Sequence, residues 1–169
     1  MRSQGIPTGT VLVVDDEAGV RAALAQVIER LGYTALAAAS GDEALRLLQE
    51  NPVEVIISDQ HMPGLSGIDL LKLARVRHPR VVRIMLTADK DPEVPVRSIN
   101  EVEVYRFLRK PWNNGELRTV LSFAFEIAHL EQEKRHLVTL LRNQVASSKD
   151  PAGVEADLVR MAEEEISDN

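Results

Sequence analysis

Two uninterrupted apolar runs, Val11-Leu12-Val13-Val14 and Val55-Ile56-Ile57, each end in acid, at Asp15-Asp16-Glu17 and Ser58-Asp59. A run with no charge at either alternate position suits a strand buried on both faces, the situation of parallel sheets covered by helices on each side. Met62-Pro63-Gly64 then breaks the chain. Asp59 is thereby placed outside a strand's carboxyl end, where open α/β sheets carry their chemistry. A lone acid there is more often a loop cap, so the reading depends on what gathers around it.

The rest of the chain supplies alternating elements. Val20, Leu24, Val27, Ile28 and Leu31 repeat at helical spacing, and Gly32 stands where a left-handed cap falls. Tyr33 to Ala38 predicts a weaker strand, and Ser40-Gly41-Asp42-Glu43 has the spacing of a capping box for a helix that Asn51-Pro52 stops. Ser66-Gly67-Ile68-Asp69 starts a helix that gives out before His78-Pro79. Val81 to Leu86 predicts a fourth strand ending at Thr87-Ala88. Asp89 to Glu101 predicts a short or distorted helix, because Pro95 lacks the amide that a second turn uses. Val102 to Leu108 predicts a fifth strand, which Arg109-Lys110-Pro111-Trp112 ends with a cation.

Five strands alternating with helices imply an α/β fold with a parallel sheet, right-handed crossovers and strand ends along one rim. That rim gathers Asp15, Asp16, Asp59, Thr87 and Lys110 from widely separated positions. Three carboxylates brought together repel, and a hard divalent cation such as Mg²⁺ relieves the repulsion. Lys110 and Thr87 add the positive charge and donors that a transferring phosphoryl group needs.

In this arrangement the chain resembles the receiver domain of a two-component response regulator, of the CheY-like, flavodoxin-like type. The resemblance rests on Asp15-Asp16, Asp59 with Met62-Pro63-Gly64, Thr87-Ala88 and Lys110-Pro111, each after a strand and in order. It implies a doubly wound sheet of order 2-1-3-4-5. It implies that Asp59 accepts a phosphoryl group from a phosphohistidine on a sensor histidine kinase, the receiver catalysing its own phosphorylation and dephosphorylation and being otherwise no enzyme. Mg²⁺ would be held by Asp16 directly, by Asp15 mainly through water, by Asp59 and by the backbone carbonyl of His61. Lys110 would pair with the phosphoryl oxygens, Thr87 would donate its hydroxyl, and Ala88 would leave room and offer its backbone amide. Thr87 and Phe107 would form the switch, with Phe107 acting through shape since it carries no hydroxyl.

Glu116 to Gln144 contains no Gly or Pro, and Asn113 with Glu116 provides a capping-box start. A heptad runs through Ile127, Leu130, Lys134, Leu137, Leu141 and Gln144, apolar at four of six seam positions. The expectation is an elongated last helix forming a coiled coil, with a homodimer through residues 116–145; the alternative is a single amphipathic helix folded back on the sheet. The organisation is then residues 9–125 as the receiver, 126–145 as the helical extension, and 146–169 as a linker and acidic tail, with a short helix possible by pattern. His129 and His136, seven apart, read as exposed helix residues.

From Asp150 onward seven acids stand against Arg160 alone, which accounts for the whole formal charge of −6. Residues 1–149 are formally neutral, so no basic surplus suggests direct contact with nucleic acid. With no cysteine, disulfides and thiolate metal sites are excluded. No membrane span or apolar signal core is read, and a cytoplasmic protein is expected. The partners expected are the kinase, a second copy and a protein effector of unknown identity. Two other readings stand beside this one. The chain could be the receiver part of a larger regulator, a phosphodiesterase or hybrid kinase. It could also be a small aspartyl-phosphate phosphohydrolase, although such enzymes place Asp-x-Asp, not adjacent acids, after the first strand.

Overall fold

The computed structural model describes residues 9–88 and 102–147, which form nine elements. These are β1 (Thr10–Val14), α1 (Ala18–Arg30), β2 (Thr34–Ala38), α2 (Gly41–Glu50), β3 (Val55–Asp59), α3 (Gly67–Arg77), β4 (Val82–Ala88), β5 (Arg106–Lys110) and α4 (Asn114–Ser147). The expected helix carrying Pro92 and Pro95, and the acidic tail beyond Ser147, lie outside the described residues.

The five strands form one parallel sheet in the order β2-β1-β3-β4-β5, as expected. Alternation along the central strands sorts their side chains onto two faces. Val11, Val13, Val55 and Ile57 pack with Leu24 and Ile28 of α1 and with Leu117, Val120, Leu121 and Ala124 of α4. Leu12, Val14 and Ile56 pack on the other face with Ala44 and Leu48 of α2 and with Leu70, Leu71 and Ala74 of α3. Burial on both faces is why β1 and β3 carry no charge until their ends. Each fully buried Leu or Ile in these layers contributes about 1.5–3 kcal/mol.

Local signals set the helix ends. Ser40 Oγ accepts from the Glu43 amide at 3.3 Å, and Glu43 Oε2 accepts from the Ala39 amide at 2.8 Å, a reciprocal cap. Ser66 Oγ accepts from the Asp69 amide, and Asn113 Oδ1 accepts from the amides of Gly115 and Glu116. Gly32, at φ 94°, turns the chain out of α1 in the left-handed region that a side chain resists.

The last strand departs from expectation: β5 covers Arg106–Lys110 and not Val102–Leu108, so Lys110 lies within it. Val102 is buried, but helical, with Glu103 in the turn that follows, and the carbonyls of both accept from the Arg83 guanidinium. Glu103 has φ 49°, incompatible with a strand. The alternation of Val102 and Val104 imitates strand periodicity, while a bond from β4 decides the conformation.

Two units make up the chain, Met1–His129 and Leu130–Asn169. In the first, α4 buries Leu117, Val120, Leu121 and Ala124. In the second, Leu130, Leu137, Val138, Leu140 and Leu141 are exposed. Among the described residues no helix is long and apolar enough to cross a membrane.

Candidate functional site

The carboxyl ends of β1, β3 and β5 meet at one place on the rim. Asp15 follows β1 and is fully buried, Asp59 is the last residue of β3 and 7% exposed, and Asp16 is exposed. Their carboxylates offer oxygens that all lie within 4.8 Å of one another. Lys110, the last residue of β5, reaches between two of them: its Nζ lies 2.7 Å from Asp15 Oδ2 and 2.8 Å from Asp59 Oδ1. Burial works to lower the Lys110 pKa, but the bonds to Asp15 and Asp59 and the charges they carry outweigh it, so the net shift is upward.

The backbone completes the cluster. The His61 amide donates to Asp59 Oδ2 at 3.1 Å, and the Glu17 amide donates to Asp15 Oδ1 at 2.9 Å. His61 itself is exposed. The Asp16 side chain accepts no hydrogen bond from the other described residues, which leaves it open to a cation. An all-carboxylate donor set of this spacing suits a hard, oxygen-preferring metal ion such as Mg²⁺, and the residues present fit such an ion.

Of the residues singled out in the sequence, Asp15, Asp16, Asp59 and Lys110 converge. Ala88 ends β4 directly opposite Lys110 in the ladder. Thr87 is placed differently: its hydroxyl donates to the Leu108 carbonyl at 3.3 Å and so is engaged across the β4–β5 pair. Phe107 is half-buried, against the side chains that α2 and α3 cover. His129 and His136 are exposed on α4.

Two contributors escape a motif-based reading. Arg21, in the second turn of α1, donates from one nitrogen to the carbonyls of Asp15 at 2.6 Å and Asp16 at 3.0 Å, pinning the acidic loop by its backbone without engaging the carboxylates. An arginine near a helix start, where the macrodipole disfavours cations, is the signal that marks it. Gly67 opens α3 against the Asp59 backbone, its amide donating to the Gln60 carbonyl at 3.1 Å.

Residues 11–122 match the model of the response regulator receiver domain. The chain belongs to the response regulator receiver family. Among curated relatives of this receiver, the hydrogenase transcriptional regulatory protein HoxA of Cupriavidus necator is 38% identical over 133 residues, 79% of this chain and 27% of HoxA. The DNA-binding transcriptional regulator NtrC of Escherichia coli is 31% identical over 127 residues, 75% of this chain and 26% of NtrC. The receiver thus spans about a quarter of the length of those relatives. Among solved structures, the signal receiver domain of an HD domain-containing protein from Pseudomonas fluorescens Pf-5 is 36% identical with a TM-score of 0.68, over 73% of this chain and 98% of that one. A response regulator receiver domain protein from Clostridium thermocellum is 31% identical with a TM-score of 0.67, over 72% and 98%.

Proposed function

We propose that Asp59 is the phosphoacceptor of this receiver and takes its phosphoryl group from a phosphohistidine of a sensor histidine kinase. A carboxylate oxygen of Asp59 attacks phosphorus, the P–N bond breaks, and the imidazole nitrogen leaves with the bonding pair. The product is an acyl phosphate on Asp59. Attack of water on that phosphorus releases inorganic phosphate and restores the carboxylate, so the receiver's only catalysis is of its own modification.

The observation that carries this reading is the contact of Lys110 Nζ with Asp59 Oδ1, which holds a cation at the acceptor before any phosphate arrives. Asp15, Asp16, Asp59 and the His61 carbonyl would hold Mg²⁺, which when bound supplies charge stabilisation to the phosphoryl oxygens. Lys110 can keep its bond to Asp59 or transfer it to a phosphoryl oxygen. The Ala88 backbone amide is the second donor in the assignment. Thr87 would have to leave the Leu108 carbonyl to donate to the phosphoryl group, and Phe107 is the neighbour that responds to that change by shape.

Output runs through protein contact. Leu130, Leu137 and Leu141, spaced as a heptad seam and 56%, 59% and 42% exposed, support a homodimer through residues 116–145 in the cytoplasm, with a protein effector beyond it. A second reading, a receiver serving a larger regulator, is favoured by the relatives' greater length.

Incubation with Mg²⁺ and acetyl phosphate, read by intact mass, tests the chemistry. One Mg²⁺-dependent phosphate adduct is expected, absent in Asp59→Asn; an adduct persisting in that variant refutes the assignment. Light scattering on the same samples tests the dimer, which a monomeric mass in both states would rule out.

A further inference from the structure

Arg83 is a charged residue at the amino end of β4, a buried strand, 7% exposed and between Val82 and Ile84. A guanidinium there is costly unless its donors are used. Two of its three donating nitrogens are used on one object, the segment that leads into β5. Nε donates to the Val102 carbonyl at 2.9 Å, and one terminal nitrogen lies 3.5 Å from the Glu103 carbonyl and 3.6 Å from Glu103 Oε2. The other terminal nitrogen donates to the Val81 carbonyl at 2.7 Å, steadying the side chain against its own strand. Arg75 of α3 closes the group by holding Glu103 Oε1 at 2.6 Å.

The turn being held carries a left-handed backbone at Glu103, φ 49°, directly after the helical Val102, a conformation uncommon for a residue other than glycine. Immediately after it the ladder begins. The Tyr105 amide donates to the Arg83 carbonyl at 2.8 Å, Arg106 pairs with Ile84, and the register carries Lys110 to Ala88. Arg83 therefore grips the incoming chain by its side chain at Val102 and Glu103 and by its backbone at Tyr105, one residue before pairing starts at Arg106. A one-residue slip there would turn Lys110 to the other face and move it by about 3.3 Å along the strand. Contacts of 2.7 and 2.8 Å to Asp15 and Asp59 do not survive such a shift.

We propose that Arg83 is a positioning residue for Lys110, fixing where β5 begins and hence placing the ammonium between Asp15 and Asp59. The proposal deepens the phosphoacceptor reading and rests on it for its kinetic consequence. Glu103 and Arg75 serve the same clasp from the turn and from α3. Lysine at position 83 cannot reproduce three separately directed bonds, although it keeps the charge.

The test compares Arg83→Lys and Arg83→Met with Lys110→Met in the full chain. Three quantities are read: Mg²⁺ affinity by calorimetry, the initial rate of adduct formation with acetyl phosphate, and the position of Lys110 Nζ relative to Asp15 and Asp59 in crystals of each Arg83 variant. A displaced Lys110 leaves Asp15 and Asp59 to the metal and no longer serves the phosphoryl group. The Arg83 variants are therefore expected to bind Mg²⁺ more tightly, to form the adduct about tenfold or more slowly, and to show Lys110 Nζ withdrawn from its contacts with Asp15 and Asp59. This is the pattern of Lys110→Met, and it differs from that of general loosening, in which metal affinity and rate fall together. Joint loss of both, or an unmoved Lys110 Nζ in a folded Arg83 variant, overturns the proposal. If Arg83→Met does not fold, Arg83→Lys carries the comparison. Should the wild type form no adduct, the phosphoacceptor reading fails, while Mg²⁺ affinity and the position of Lys110 Nζ still decide the role of Arg83.

Discussion

Replacing Gly67 by alanine tests the fit between α3 and the acceptor strand. An added Cβ would stand 1.9 Å from the Asp59 carbonyl oxygen, 2.9 Å from its carbon and 3.0 Å from Gln60 Cα. All three are backbone atoms, so no side chain can rotate aside. Reaching even a 3.0 Å contact requires the start of α3 to retreat by about 1 Å, beyond what the 3.1 Å bond from the Gly67 amide to the Gln60 carbonyl tolerates. The lost bond costs about 1 kcal/mol and the overpacking about 1–3 kcal/mol. Alanine recovers at most about 1 kcal/mol through helix propensity. The net expectation is a loss of about 1–3 kcal/mol, read as a lower urea midpoint at unchanged slope. Adduct formation should also slow, because the displaced backbone belongs to Asp59. Gly19→Ala is the control: it lies in the first turn of α1, has nothing within 4 Å of an added Cβ, and should gain up to about 1 kcal/mol. Shifts of the same sign in the two variants would refute the reasoning.

Lys110→Met should bind Mg²⁺ more tightly by about tenfold or more, since the ammonium that competes for Asp15 and Asp59 is gone and two unit charges about 4 Å apart interact by about 1 kcal/mol even in bulk water; calorimetry reads it. The same variant should form the Asp59 adduct far more slowly. The raised Lys110 pKa predicts an alkaline effect. Its contribution is fully present below the ordinary lysine value of about 10.4 and is lost as pH rises through the higher folded value. Urea midpoints should therefore fall more steeply in the wild type than in Lys110→Met above about pH 10; burial also raises Tyr33, but that residue is common to both proteins and drops out of the comparison. Ser66→Ala, which removes the acceptor for the Asp69 amide at the start of α3, should cost about 1 kcal/mol in the same titration.

The sheet and three of the rim acids were legible in the sequence because both follow from burial. β1 and β3 are covered on two faces, so their residues are apolar without interruption, and the first acids after them fall at the carboxyl edge. The caps at Ser40, Ser66 and Asn113 were legible for a related reason: each is a short-range bond between a side chain and an amide two or three residues away. Arg21 belongs to no motif of this kind, since its bonds go to backbone carbonyls and any residue can supply those.

The start of β5 shows where periodicity loses its force. Val102 and Val104 satisfy a strand pattern as well as Phe107 and Leu108 do, and nothing within the segment decides between them. The decision comes from Arg83, about twenty residues earlier, whose guanidinium binds carbonyls that a β-ladder would otherwise claim. An arginine between Val82 and Ile84 breaks the apolar rule that identified β1 and β3, and the break is itself informative. A buried strand tolerates a cation only where backbone acceptors are brought to it, so such a residue marks a place where another segment must turn rather than extend. By that logic the odd residue in β4 points to the boundary of β5, and through the ladder from Arg106 to Lys110 it reaches the acceptor site at the other end of the sheet.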